Sequence, residues 1–341
     1  MINFNCDYMA GAHPEVLQAL CDTNLIKSVG YGFDYFTSEA RTVILRLCGL
    51  EEGEVFFLQG GTQTNKTVID RLLSRNDGVV CCESGHINVH EAGAIEADGH
   101  KVIALPGDNG KLEAAVLEKH MEDFYHDDTN EHMVRPAMVY ISHPTEYGTL
   151  YTRDELEILS GVCQQYNMPL FIDGARLAYG LAAEATDVKL HDIASIADVF
   201  YIGGTKCGAL FGEAVVTRHR HLLPRFMSLM KLHGALLAKG RLLGVQFLAL
   251  FKDDLYIRIG RHADRLARML KEGMRERGYR IFMDSPTNQQ FFILPNSLID
   301  RLSEHVGFEL WGPRGESEST VRFVTDWSTT EEDVDTLLSL C

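Results

Sequence analysis

The chain lacks any apolar run approaching the ~18 residues of a membrane-spanning helix. Its opening, Met1-Ile2-Asn3-Phe4-Asn5-Cys6-Asp7, has neither the basic nor the apolar segment of a secretion signal. Positive charge is also scarce: 32 Lys and Arg stand against 48 Asp and Glu, for a formal net charge of −16. Such a surface argues against nucleic acid or an anionic membrane as partner. It leaves room for a small anionic ligand in a pocket of opposite local sign. No cysteines fall at C-x-x-C spacing, and no Cys/His cluster has the spacing of zinc ligands, so no metal is expected. The cysteines Cys6, Cys21, Cys48, Cys81, Cys82, Cys163, Cys207 and Cys341 lie mostly in apolar runs. They are expected to be free thiols, packed as small hydrophobes in a reducing cytoplasm. Repeats and low-complexity linkers are missing too.

What is present is alternation. Apolar stretches at 55–58, 78–82, 101–105, 137–142, 169–173, 199–202 and 214–216 read as strands, with helical patterns at 61–73, 86–97, 112–123 and 153–166 between them. That order predicts a mainly parallel sheet with helices on both faces. Residues 222–271 read as mostly helical, and strands at 290–294, 308–311 and 321–324 with a last helix at 330–340 suggest a smaller α/β unit. The polar stretch 124–134 reads as a loop, and a loop of that length is often functional.

The chemistry collects at strand ends. In Phe171-Ile172-Asp173-Gly174-Ala175-Arg176 an acid closes an apolar strand, where ligands sit in open α/β sheets. Alone, it reads equally as a loop cap or a partner for Arg176. In Tyr201-Ile202-Gly203-Gly204-Thr205-Lys206 a lysine follows another strand end, among glycines that allow close approach. Alone, it reads as a solvated surface lysine. Together they supply what pyridoxal 5′-phosphate (PLP) needs: a carboxylate for the pyridine nitrogen and an amine for the aldehyde. A phosphate site fits the same scheme. Phe57-Leu58-Gln59-Gly60-Gly61-Thr62 runs from strand through a glycine turn into a helix start, where free N–H groups favour an anion. His86, in Ser84-Gly85-His86, opens the next helix and is placed to lie on the cofactor ring, with Glu91 five residues on.

These residues make the chain resemble the L-threonine aldolase/β-eliminating lyase group of fold-type-I PLP enzymes, and within it the low-specificity threonine aldolases and phenylserine aldolases. The likeness runs from Asp7 and Tyr31-Gly32-Phe33-Asp34 through the motifs above to Val321-Arg322-Phe323-Val324-Thr325. Its specific part is Asp173-Gly174-Ala175-Arg176 followed by Thr205-Lys206. The resemblance implies an α/β, fold-type-I PLP-dependent transferase-like fold. A large domain over 1–250 would hold a mostly parallel sheet, followed by a smaller C-terminal α/β domain over 251–341. It implies that Lys206 carries PLP, Asp173 binds the pyridine nitrogen, and His86 stacks on the ring. Gly60, Gly61 and Thr62, with Thr205, would hold the phosphate. Arg176 and Arg322 would serve a cofactor oxygen and the substrate carboxylate, with Cys6, Asp7 and Tyr31 at the substrate. Lys239 would reach the phosphate from a neighbouring subunit of a homodimer or homotetramer. His132 would act as the base, with His86 second.

The implied reaction is cleavage of a β-hydroxy-α-amino acid, of the L-threonine, L-allo-threonine or phenylserine type, to glycine and an aldehyde. The alternatives are β-elimination or other amino-acid chemistry on the same cofactor, or a cofactor-free protein of the same fold. Cys6 stands where the group has serine, Thr205 where it has serine, and Cys207 where it has glycine. Phe33, Tyr35 and Phe36 add aromatic bulk near the substrate region. These departures bear on substrate more than on cofactor.

Overall fold

The computed structural model describes residues 1–341. The chain opens with strand β1 (Ile2–Asn3), followed by helices Pro14–Thr23 and Tyr35–Leu47. There follow β2 (Glu54–Leu58), helix Gly61–Leu72, β3 (Asp77–Cys82), the short helix His86–Val89 and β4 (Lys101–Leu105). Helix Ala114–His126, β5 (Arg135–Ser142), helix Arg153–Gln165, β6 (Leu170–Asp173), β7 (Val199–Gly203) and β8 (Glu213–Thr217) complete the first layer set. The large sheet runs β2-β8-β7-β6-β5-β3-β4, with β8 alone antiparallel to its neighbours.

Its strands read as near-continuous apolar runs because both faces are covered. The period of two sorts them. Val80, Val139, Ile141, Ile172, Phe200, Ile202 and Val216 join one core. Val79, Met138, Tyr140, Phe171, Tyr201 and Val215 join the core on the opposite face. Asp173 follows the parity of Phe171, so Tyr140, Asp173 and Tyr201 share a face.

The C-terminal unit is an antiparallel sheet in the order β12-β13-β10-β9, built from β9 (Arg280–Met283), β10 (Gln289–Pro295), β12 (Glu309–Leu310) and β13 (Glu318–Val324). Helices Asn296–Ser303 and Glu331–Leu340 flank it. The last is capped by Thr330, whose side chain accepts from Asp333 N–H and whose N–H donates to the Asp333 carboxylate.

The two units share a helix just past the boundary expected at residue 250. Helix Leu255–Glu276 is shared: Leu255, Ile259 and Ala263 pack in the large core, and Leu266, Leu270 and Met274 in the small one. The N-terminal segment also crosses over. β1 pairs in parallel with β11 (Val306–Gly307), and Phe4 is buried in the small core. The helix expected over 86–97 stops at Val89, because Ala92 and Gly93 take positive φ of 51° and 72°. No helix is long and apolar enough to cross a membrane.

Two glycines separate necessity from tolerance. A Cβ on Gly174 would lie 2.0 Å from Tyr201 O, in the turn that leaves β6, whereas a Cβ on exposed Gly161, in helix Arg153–Gln165, meets nothing within 4 Å. Gly174→Ala should lower the melting temperature by several degrees or abolish soluble expression. Gly161→Ala should raise stability by up to about 1 kcal/mol. Thermal denaturation of both variants checks the contrast.

Candidate active site

At the C-terminal ends of β5, β6 and β7, beside the start of helix Gly61–Leu72, lies a cavity of about 290 Å³. It is lined by Gly61, Thr62, His86, Asp173, Arg176, Thr205 and Lys206, all expected from the sequence. Tyr8, Asn65, Ser142, Glu146, Tyr201 and Glu213 line it too.

Asp173 is buried, and its carboxylate is surrounded by donors. Oδ2 accepts from Tyr140 O–H at 2.6 Å and Asn65 Nδ2 at 2.9 Å; Oδ1 accepts from Tyr201 O–H and from Ala175 N–H at 2.9 Å. Burial alone would raise its pKa. The charge of His86 and the hydrogen bonds from Tyr140, Tyr201 and Asn65 outweigh it and hold the carboxyl below its ordinary value.

Asn65 ties Asp173 to the histidine. Its Nδ2 also donates to Glu91 Oε1 at 2.8 Å, and His86 Nδ1 lies 2.8 Å from that same oxygen. With Nδ1 as donor, the ring is fixed in one tautomer and orientation. The loop closes on the other side: His86 N–H donates to Glu146 Oε1 at 2.9 Å, Ser142 Oγ donates to the same oxygen at 2.6 Å, and Tyr140 Oη lies 3.2 Å from Ser142 Oγ.

Lys206 Nζ has no acceptor in the protein. Burial and the Arg176 charge lower its pKa, against Asp7, Asp173 and Glu213, which raise it. Arg176 is clamped by Asp7, Nε to Oδ2 at 2.7 Å and Nη2 to Oδ1 at 3.0 Å. Asn288 adds a third donor to Asp7 at 3.0 Å. Burial favours the neutral acid, yet Arg176, Lys206 and these hydrogen bonds keep the Asp7 carboxyl below its usual range.

These features fit PLP. The first amides of a twelve-residue helix face the cavity with no side-chain cap at Gly60, beside a partnerless amine and an ionised buried carboxylate. The Tyr140 hydroxyl has Ser142 Oγ as a second acceptor, so Asp173 Oδ2 can be shared with a pyridine N–H.

Several expected residues are not there. His132 is exposed and ends a turn of 3₁₀ helix, Asn130–His132, just ahead of β5. The cavity is at the other end of that strand, roughly 25 Å away at 3.3 Å per residue. His132 is therefore withdrawn as the base: the loop that carries it faces the wrong edge of the sheet. Cys6 does not line the cavity; Tyr8, two residues on, does. Gly60 caps the helix from just outside the lining. Tyr31 and Lys239 lie together outside it, joined by the Tyr31 N–H to Ala238 O bond of 3.0 Å. Arg322 is buried and already engaged: Nη1 donates to Gln289 Oε1 at 2.9 Å, Nη2 pairs with Glu309, and the guanidinium lies 5.0 Å from the Trp311 ring centroid.

Other clusters do not compete. A larger crevice of about 550 Å³ runs beside helix Leu255–Glu276, but Arg265, Arg268 and Lys271 there pair with Glu331, Glu184 and Asp284. Asp70, Asp98 and His233 come together, with His233 Nε2 2.8 Å from Asp70 and Lys66 3.0 Å from Asp98, so both carboxylates already have partners.

Sequence reasoning missed Glu146, Glu213, Tyr140, Tyr201 and Asn65. Glu146 alone carried a usable signal, since it follows an apolar strand as Asp173 does. Glu213 Oε2 accepts from Gly204 N–H at 3.0 Å. Burial pushes its pKa from 4.5 to about 8, opposed by the Thr205 and Gly204 hydrogen bonds. The native state then binds more protons than the unfolded chain between those values, so stability falls as pH rises through about 8. In protein freed of cofactor, Glu213→Gln should melt above the wild type at pH 8, with the gap closing towards pH 4.5. A gap independent of pH would contradict the assignment.

The sequence pattern of the beta-eliminating lyase family matches residues 3–297. A low specificity L-threonine aldolase of Pseudomonas aeruginosa is 30% identical over 335 residues, covering 97% of this chain and 94% of that one. A solved threonine aldolase structure from Leishmania major has a TM-score of 0.96 at 39% identity, covering 100% of this chain and 98% of that chain. An aspartate aminotransferase double mutant of Thermus thermophilus shares the fold, with a TM-score of 0.70 at 15% identity over 100% of this chain and 90% of that one. The architecture is that of fold-type-I PLP enzymes, and the chain belongs to the beta-eliminating lyase family.

Proposed function

We propose that this protein is a PLP-dependent aldehyde-lyase. It cleaves a β-hydroxy-α-amino acid of the L-threonine, L-allo-threonine or phenylserine type into glycine and an aldehyde. The observation that carries the reading is the meeting, in one cavity, of the partnerless Lys206 amine, the ionised Asp173 and the open helix start at Gly61-Thr62. The similar threonine aldolases support the same reaction.

Lys206 is the amine that would hold the cofactor's aldehyde carbon. Asp173 would keep the pyridine nitrogen protonated. Gly61, Thr62 and Thr205 would hold the phosphate, and the His86 ring, fixed by Glu91, would lie against the cofactor. When bound, PLP supplies a sink for the electron pair released at Cα. Arg176, immobilised by Asp7, presents its remaining nitrogen to the substrate carboxylate. Holding that carboxylate would fix the substrate's orientation, and so which bond at Cα breaks. Arg322, farther back and already paired, supports this region through Gln289 and Glu309.

The proposed assembly is a homodimer or homotetramer in which Lys239, exposed on its own chain, completes a neighbour's site. The cytoplasm is the proposed compartment, supported by buried thiols such as Cys48 and Cys207, which burial pushes up to about 12.

Absorbance of wild type and Lys206→Ala, each given PLP and then L-threonine or L-phenylserine, tests the reading. The wild type should take up PLP as a yellow species and release glycine and aldehyde; Lys206→Ala should do neither. Pyruvate and ammonia in place of glycine would move the reaction to elimination. A wild type that stays colourless with PLP would overturn the proposal. In light scattering the assembly should measure two or four times 38.2 kDa. Lys239→Ala should weaken PLP retention without changing that mass.

A further inference from the structure

We propose that Glu146 takes the proton from the substrate's β-hydroxyl, the role the sequence sought in His132. The proposal rests on the aldehyde-lyase reading above.

Glu146 is 8% exposed and lines the cavity with His86, Arg176 and Lys206. Its carboxylate is held by one oxygen only. Oε1 accepts from His86 N–H at 2.9 Å and from Ser142 Oγ at 2.6 Å. Oε2 accepts from no other residue, and it is not among the side-chain atoms sealed away without a partner. The two locating donors come from different elements, the His86–Val89 helix and the end of β5, so the carboxylate is oriented before any substrate arrives. A base needs that arrangement: one oxygen fixed, the other free to receive a proton.

The surroundings suit the task. Burial raises the Glu146 pKa, and the Asp173 charge adds to it, against the hydrogen bonds from Ser142 and from its own backbone N–H and the His86 charge; the net direction is upward. A carboxylate of raised basicity is a better proton acceptor near neutral pH. The other titratable groups that feel Glu146 are Tyr140 on β5, Tyr151 beyond it and Cys81 on β3. Burial pushes all of them upward, so they stay neutral there.

Most competing groups are committed. Both Asp173 oxygens are bonded and Glu213 is tied to Gly204 and Thr205; His86 Nδ1 faces Glu91, which leaves His86 Nε2 as the one rival acceptor. Lys206 is reserved for the cofactor. The proton balance is simple. The β-oxygen proton passes to Glu146 Oε2, and the C=O of the aldehyde forms as Cα–Cβ breaks. The pair left at Cα takes up one proton, giving glycine, and Glu146 releases its own to solvent. No oxidant or second substrate is needed.

Glu146→Gln keeps the size and the Oε1 contacts and removes the base. Three measurements on the PLP-loaded proteins decide: PLP affinity by absorbance titration, exchange of the glycine α-proton in D₂O, and cleavage of the better β-hydroxy amino acid. The expected result is affinity and exchange within about threefold of wild type, with cleavage down about 10²–10⁴-fold in kcat and KM little changed. Glu146→Asp should recover part of the loss, and the acidic limb of the wild-type pH–rate profile should vanish in Glu146→Gln. Cleavage within about threefold of wild type would overturn the proposal. Parallel loss of affinity and exchange would overturn it as well, leaving Glu146 a structural anchor for His86. A wild type that exchanges the glycine proton but cleaves no β-hydroxy amino acid would instead sink the aldehyde-lyase reading on which the proposal stands.

Discussion

A buried carboxylate must be matched by donors or it will not stay charged, and the architecture around Asp173 answers that demand. Asp173 ends a strand in the middle of the sheet, so its donors come from the strands on either side: Tyr140 from β5 and Tyr201 from β7. Neighbouring strands lie about 4.8 Å apart, and a tyrosine is long enough to lean from its own strand to a carboxylate on the next. Asn65 adds a donor from the helix that follows β2. The cavity is the space left above this arrangement.

The same donors bind several acids into one circuit. From Asp173 the hydrogen bonds run through Asn65, Glu91, His86 and Glu146 to Ser142, whose Oγ lies 3.2 Å from the hydroxyl of Tyr140, itself a donor to Asp173. Removing one member leaves its neighbours buried and short of a partner, at about 1–3 kcal/mol for each unsatisfied group. Substitutions inside the circuit should therefore not add. The environments also separate the acids by task. Asp173 is held ionised by its donors, whereas Glu146 and Glu213, with fewer donors for the same burial, gain proton affinity.

The sequence made the parts of the site that are local legible. Asp173 at a strand end, Lys206 past another and Gly61-Thr62 at a helix start each carry their meaning within a few residues. The alternation of strands and helices likewise gave the large sheet. Tyr140 and Tyr201 were not legible, because in sequence they are ordinary aromatic members of apolar strands; only the pairing of β5, β6 and β7 brings them to Asp173. His132 misled for the complementary reason. It is close to β5 in sequence, but a strand has two ends, and the histidine is at the one away from the ligand. The family resemblance put the domain boundary at residue 250, whereas one amphipathic helix serves both cores across the junction.

The pairing of β1 with β11 bears on how the protein emerges from the ribosome. Ile2 and Asn3 are made about 300 residues before their partners Val306 and Gly307, some 15–60 s at 5–20 residues per second. Once Thr217 has been made the large sheet has all its strands, but Phe4 still has no core to enter and Asp7 waits for Asn288. The small unit closes only when the last strands arrive, and with it the Asp7 clamp on Arg176 is completed. Phe4 thus gains its core, and Asp7 its third donor, only as one of the last acts of folding.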